Sequence, residues 1–216
     1  MTGLRKAVFH KEQTMIIVDG RENELKISNF SNLEEILEAI MQQEGMTDRV
    51  ITDILVNNEN FSEIYPHQAE DLATDSINSI EVKSVETDKM AVEVAAELDK
   101  VSRMMENGAK NCARLFRESK DSEALELLQD LLDVTRDFMG TLTHLKDQYL
   151  GGADEEFMRK TDTLSNLLTE MSEVLENEDW ILLADLLEYE FVPQCEEWRN
   201  VGDLIHRQLQ RKAKKA

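Results

Sequence analysis

The alternation of apolar and polar positions changes period once along this chain, near residue 86. Before that point the apolar runs are short. Met15-Ile16-Ile17-Val18 predicts a strand that opens at about Thr14 and closes on the turn dipeptide Asp19-Gly20. Leu25 and Ile27 alternate with polar residues and predict the returning strand. Asn32 predicts an N-cap, with Glu34 and Glu35 in a first turn where the helix dipole favours acids. Leu33, Ile36, Leu37, Ile40 and Met41 follow at helical spacing, with Gly45 as terminator. Val50 to Val56 predicts a β-branched strand turned by Asn57-Asn58. A short run from Phe61 to Tyr65 leads to Pro66, and Ile77 to Val85 predicts the last strand, with Ile80 and Val82 on its buried face.

From Thr87 the apolar spacing becomes about 3.5 residues, the period of helices packed on helices at shallow angles. Four seams keep it. The first runs Val94, Leu98, Val101, Met105, Gly108, Cys112, Leu115, and the second Ala124, Leu128, Leu131, Thr135, Phe138, Leu142, Leu145, Tyr149. The third runs Phe157, Thr161, Leu164, Leu168, Met171, Leu175, and the fourth Trp180, Ala184, Leu187, Phe191, Gln194, Trp198, Val201, Ile205. Short connections, Glu118 to Asp121, Leu150 to Asp154 and Glu176 to Asp179, make sequential helices antiparallel neighbours. Pro193 lacks an N–H and its ring opposes the carbonyl of Tyr189, so a kink or break is expected near Phe191.

The expected fold class is therefore α+β: a flexible arm over 1–13, a small β-grasp domain over 14–86, and an antiparallel bundle of long helices over 87–216. In order, spacing and length, Thr14 to Val85 resembles a ubiquitin-like domain. Conjugated members of that family end in an activated diglycine; here the domain runs through Glu86-Thr87 into a helix, and Gly151-Gly152 reads as a turn between helices. The helical half is similar in general character to the small acidic helical chaperones of bacterial flagellar and secretion export. That resemblance implies a surface that holds amphipathic client helices.

Charge narrows the partners. A net charge of −21 repels nucleic acid backbones and anionic membranes and favours basic protein surfaces. The stretch from Val201 to the C-terminus reverses the sign, with Arg207, Arg211, Lys212, Lys214 and Lys215 against Asp203. Cys112 and Cys195 form no pair with zinc or redox spacing, so free thiols in a reducing cytoplasm are expected. No apolar run suits a signal peptide or a membrane span. None of His10, His67, His144 and His206 has a Glu three residues before it, so a di-iron bundle is not expected, and Asp203-x-x-His206 is only a near miss. Nucleophile and phosphate-loop motifs are absent, so no cofactor, metal or catalytic residue is expected.

One feature exceeds what a bundle core needs. Trp180, Ile181, Leu182 and Leu183 cover nearly the whole helix circumference, and Leu186, Tyr189, Phe191 and Val192 extend them, where a one-faced helix shows a stripe of about 100°. Leu125, Leu127, Leu132 and Val134 widen the second helix's stripe more mildly. The surplus on Trp180 to Val192 can be buried under the first domain, in a homodimer or against another protein. The expected function is a non-catalytic adaptor or chaperone-like protein of the bacterial cytoplasm, binding a protein partner through these residues. The alternatives are an enzyme or regulator with a site at the junction of the two parts, and a structural homo-oligomer.

Overall fold

The computed structural model describes residues 15–63, 68–152 and 154–214. The expected arm over 1–13 and the end of the run toward Tyr65 and Pro66 lie outside them. The chain divides into two compact units, Met1–Met90 and Ala91–Ala216, each with a core of its own.

The first unit is a five-stranded mixed sheet with one helix. Its strands are β1 (Met15–Val18), β2 (Arg21–Glu22), β3 (Arg49–Val56), β4 (Glu59–Asn60) and β5 (Ser79–Glu86), in the order β2-β1-β5-β3-β4. β1 pairs parallel with β5 and the remaining pairs are antiparallel, which is the β-grasp arrangement. Both hairpins turn on two residues with positive φ, Asp19-Gly20 and Asn57-Asn58, the conformation that matches strand twist. Helix α1 (Leu33–Met41) starts where Asn32 Oδ1 accepts from the Glu35 N–H at 3.0 Å, and Glu35 accepts in return from the Ser31 N–H at 2.7 Å. It buries Leu33, Ile36 and Ile40 against Ile16, Val56, Ile80 and Val82 of the sheet.

Two details differ from the pattern-based expectation. β2 stops at Glu22, because Asn23 Oδ1 accepts from the Leu25 N–H at 3.0 Å and the Asn23 amide exchanges hydrogen bonds with Gln43. That turn pulls the chain off the sheet, so Ile27 reaches the core from a 3₁₀ turn rather than a strand. α1 also ends before Gly45, at Met41; the glycine occupies the following turn at φ 97°.

The second unit contains α2 (Thr87–Arg117, beginning before the unit boundary), α3 (Asp121–Leu150), α4 (Glu155–Glu176), α5 (Trp180–Leu186) and α6 (Val192–Ala213). Left-handed Gly151 closes α3, and the carboxylates of Asp154 and Asp179 cap α4 and α5 by accepting from the Phe157 and Leu182 N–H groups. Gly202 of α6 sits where an added Cβ would lie 3.8 Å from Leu98 and 3.9 Å from Leu142, so α6 packs closely on both α2 and α3. Ser102 Oγ, fully buried, donates to the Cys195 carbonyl at 2.8 Å and ties α2 to α6. Gly140 is different: a Cβ there meets nothing within 4 Å. Gly140→Ala should therefore stabilise the helical unit by about 1 kcal/mol through helix propensity alone, read as a shift of its urea midpoint.

Pro193 does not break the fourth helix. Leu187–Phe191 winds as a π turn, in which the Val192 N–H donates to the Leu187 carbonyl five residues back. The proline then stands at the start of α6, where a missing N–H costs least. The wider turn buries Leu187 and Phe191 together and shifts the seam beyond: Cys195 and Gly202 are buried, while Gln194 and Val201 are half-buried. In α4 the inward positions are Leu167 and Val174, one residue ahead of the expected Leu168 and Leu175.

Candidate partner-binding surface

The apolar excess at Trp180 to Val192 divides into two groups. Leu183, Leu186 and Phe191 are interior residues of the bundle, which corrects their assignment to a binding surface. The cause is local: α5 packs on α4, and the π turn carries Phe191 inward rather than around the helix. Trp180 and Val192 are half-buried against the same core. Ile181, Leu182 and Tyr189 remain outside, at 59%, 42% and 67% exposure.

That outer face is held firmly. Trp180 stacks on Phe116 at 5.4 Å with the rings 6° from parallel, fixing the first turn of α5 to the end of α2. Arg117, the last residue of α2, donates to Asp185 at 2.7 Å and also to Glu188. Exposed ion pairs of this kind contribute little to stability. Here they set which way the helix faces, leaving Ile181, Leu182 and Tyr189 beside a small charged cluster.

A second apolar feature lies between α2 and α3. Met104, Met105 and Gly108 face Leu127, Asp130, Leu131 and Val134 across a groove of about 170 Å³, with Asp130 its one charged lining residue. Gly108 leaves the floor without a side chain; a Cβ there would stand in ordinary contact, 3.5 Å from Leu131 Cδ1. In sequence, Gly108 is a seam position of α2 and Leu127 and Val134 are surplus on α3; what joins them into a groove is the rotation of α2 and α3 against each other.

The N-terminal unit has a polar cluster at the β1–β2 turn. Ser84, buried on β5, gives its N–H and its hydroxyl to the two oxygens of Asp19, each at 2.7 Å. Arg49 donates to the Ser84 hydroxyl and carbonyl and to Asp19. Burial pushes the Asp19 carboxyl up, but the Ser84 hydrogen bonds and the Arg49 guanidinium outweigh it and hold the group below its ordinary value. A polar hollow of about 460 Å³ lies nearby, lined by Gly45, Asp48, Arg49, Glu86, Thr87 and Asp88. Its one guanidinium is already engaged by Ser84 and Asp19.

Neither thiol is poised to react. Burial pushes Cys112 up to about 12, and burial reinforced by Glu106 does the same to Cys195. His206 shares a 3.0 Å hydrogen bond with Gln210. Among the described residues no group of three or more His, Cys, Asp or Glu could hold a metal ion, and no helix is long and apolar enough to cross a membrane.

Residues 15–85 match a family described as a domain of unknown function (DUF8043), and residues 93–201 match a second, also described as a domain of unknown function (DUF8042). Each match falls inside one compact unit. No curated protein and no solved structure matches the chain. The second match spans just over half of the sequence, and the chain belongs to the DUF8042 family.

Proposed function

We propose that this chain is a non-catalytic adaptor or chaperone-like protein of the bacterial cytoplasm that binds a protein partner through the outer face of α5 and the π turn. The observation that carries the reading is the exposure of Ile181, Leu182 and Tyr189 on a helix fixed by the Phe116–Trp180 stack and by Arg117. Full burial of one such side chain is worth about 1.5–3 kcal/mol. A tyrosine about two helical turns from two aliphatic residues, ordered in advance, is the kind of anchor that dominates protein interfaces. The ubiquitin-like topology of the first unit suits a second recognition module, with Glu86 leading directly into α2 in place of a conjugating tail.

A photo-crosslinking residue at position 189, introduced in the native host, tests this. The expected result is a stoichiometric protein adduct, lost when Ile181→Glu and Leu182→Glu are combined, with helical circular dichroism and melting temperature unchanged. An adduct of two copies of this 24.9 kDa chain would identify the partner as itself. Absence of any protein adduct, or unfolding of the double variant as an isolated monomer, would overturn the reading.

A further inference from the structure

We infer that the groove between α2 and α3 is a second and separate docking site, for an amphipathic helix of another protein carrying basic residues along one flank. The groove's size selects the class of ligand. At about 170 Å³ it falls below the roughly 300–1,000 Å³ of small-molecule pockets, and it suits one or two apolar side chains projecting from a helix. Met104, 56% exposed on its lip, has the adaptable side chain found on surfaces that accept varied apolar partners.

Charge selects the partner. Glu123, Glu126, Asp130, Asp133 and Asp137 recur every three or four residues on α3, so they form one row along the groove's outer edge, and all five are exposed. Arg136 pairs with Asp133 and Asp137. Glu123, Glu126 and Asp130 have no ion-pair partner among the described residues. On α2 the exposed Asn107 and Asn111 lie at the matching spacing, and the exposed bases near them, Lys100, Arg103 and Arg114, are paired with Glu97, Asp99 and Glu118. The groove is thus acidic on one side and charge-balanced on the other, which fixes how a bound helix is rotated: its apolar residues enter the groove and its bases face α3. The same row repels phosphate backbones and anionic lipid. It also opposes antiparallel groove-to-groove pairing of two copies, which would set the two acidic rows against each other.

The test uses the full chain and a displayed library of 18-residue amphipathic helices, with apolar residues varied at the inward positions and Lys, Gln or Glu varied on each flank. Selection should enrich Lys on one flank only. Binding of the selected peptides should weaken about tenfold or more with Glu126→Lys combined with Asp130→Lys, a surface change that leaves the core intact, and that difference should shrink in about 0.5 M salt. Gly108→Leu, which fills the groove floor, should abolish binding while Ile181→Glu with Leu182→Glu leaves it unchanged; the latter result separates this site from the α5 surface. Enrichment without preference for bases, unaltered binding to the charge-reversed chain, or failure to select any saturable binder would each overturn the inference. So would self-association by light scattering that the charge reversal removes, since the occupant would then be a second copy.

Discussion

Trp198→Ala should lower the stability of the helical unit by about 3–5 kcal/mol, the range for removing a buried aromatic side chain without collapse of the space it leaves. Trp198 is 1% exposed and meets Phe157 edge-on at 5.4 Å, with the rings 83° apart, so it joins α6 to the start of α4. One turn earlier Cys195 receives the Ser102 hydroxyl, and one turn later Gly202 rests on Leu98 and Leu142. The indole thus meets Phe157 on a stretch of α6 that is tied down on both sides, which leaves little freedom to close a cavity. Urea unfolding followed by helical circular dichroism measures the loss. Tyr189→Ala provides the contrast, at 67% exposure, and should change stability by less than about 0.5 kcal/mol. A loss below about 1.5 kcal/mol for Trp198→Ala would mean that α6 does not sit in the core as described.

Asp19→Ala should cost the N-terminal unit about 2–4 kcal/mol. Two effects add. The backbone N–H and hydroxyl of buried Ser84 lose their acceptor, worth about 1–3 kcal/mol. Alanine must also adopt the left-handed conformation that Asp19 holds at φ 50°, worth about 1 kcal/mol more. The Arg49 ion pair adds little, since both partners are a quarter to a third exposed. Hydrogen exchange across residues 15–63 of the full chain is the readout, with slowly exchanging amides expected to open about 30- to 900-fold faster. Protection in α3 and α4 should not change, because the two cores share no residue. The sign of the pH dependence follows from the depressed Asp19 pKa. Its contribution is complete above the ordinary carboxylate range and is lost as pH falls below about 4, through the folded-state value. Glu106 acts in the same direction in the helical unit: the Lys110 hydrogen bond lowers it, burial opposes, and Arg199 adds to the lowering. In Asp19→Ala the acid loss in the first unit should shrink while that of the helical unit persists.

Most of the architecture could be read from residue spacing, for identifiable reasons. Asn32, Asp154 and Asp179 announce helix starts because a side-chain acceptor is needed wherever backbone donors are left over. Asp19-Gly20 and Asn57-Asn58 announce hairpins because few residue pairs accept two positive φ values. The α3 seam is buried from Ala124 to Leu145 at each expected position. What escaped was set by neighbours rather than by local pattern. Leu167 and Leu168 are equally apolar, and only the direction of the packing partners decides which one points inward. Gln194 and Cys195 exchange places because winding changes upstream, a departure that a strict alternation of four and three cannot express. The groove at Gly108 is a property of two helices at once. The apolar surplus at Ile181, Leu182 and Tyr189 was visible; its separation from Leu183, Leu186 and Phe191 was not.

The π turn at Leu187–Phe191 acts as a phase correction. Counting back from α6, the buried positions Leu187, Phe191 and Cys195 are spaced four and four, a run that would drift around an ordinary helix by about 40° at each step. The extra residue in the turn absorbs that drift and delivers Trp198, Gly202, Ile205 and Leu209 to the interior in register. Removing one residue between Leu187 and Phe191 would take out the surplus that the turn absorbs, so the segment could wind as an ordinary α turn and still carry the indole of Trp198 toward Phe157. The bundle core thus does not require the extra residue; the turn holds one residue more than an ordinary helix would need, and Tyr189 and Glu190 are the exposed members of that segment.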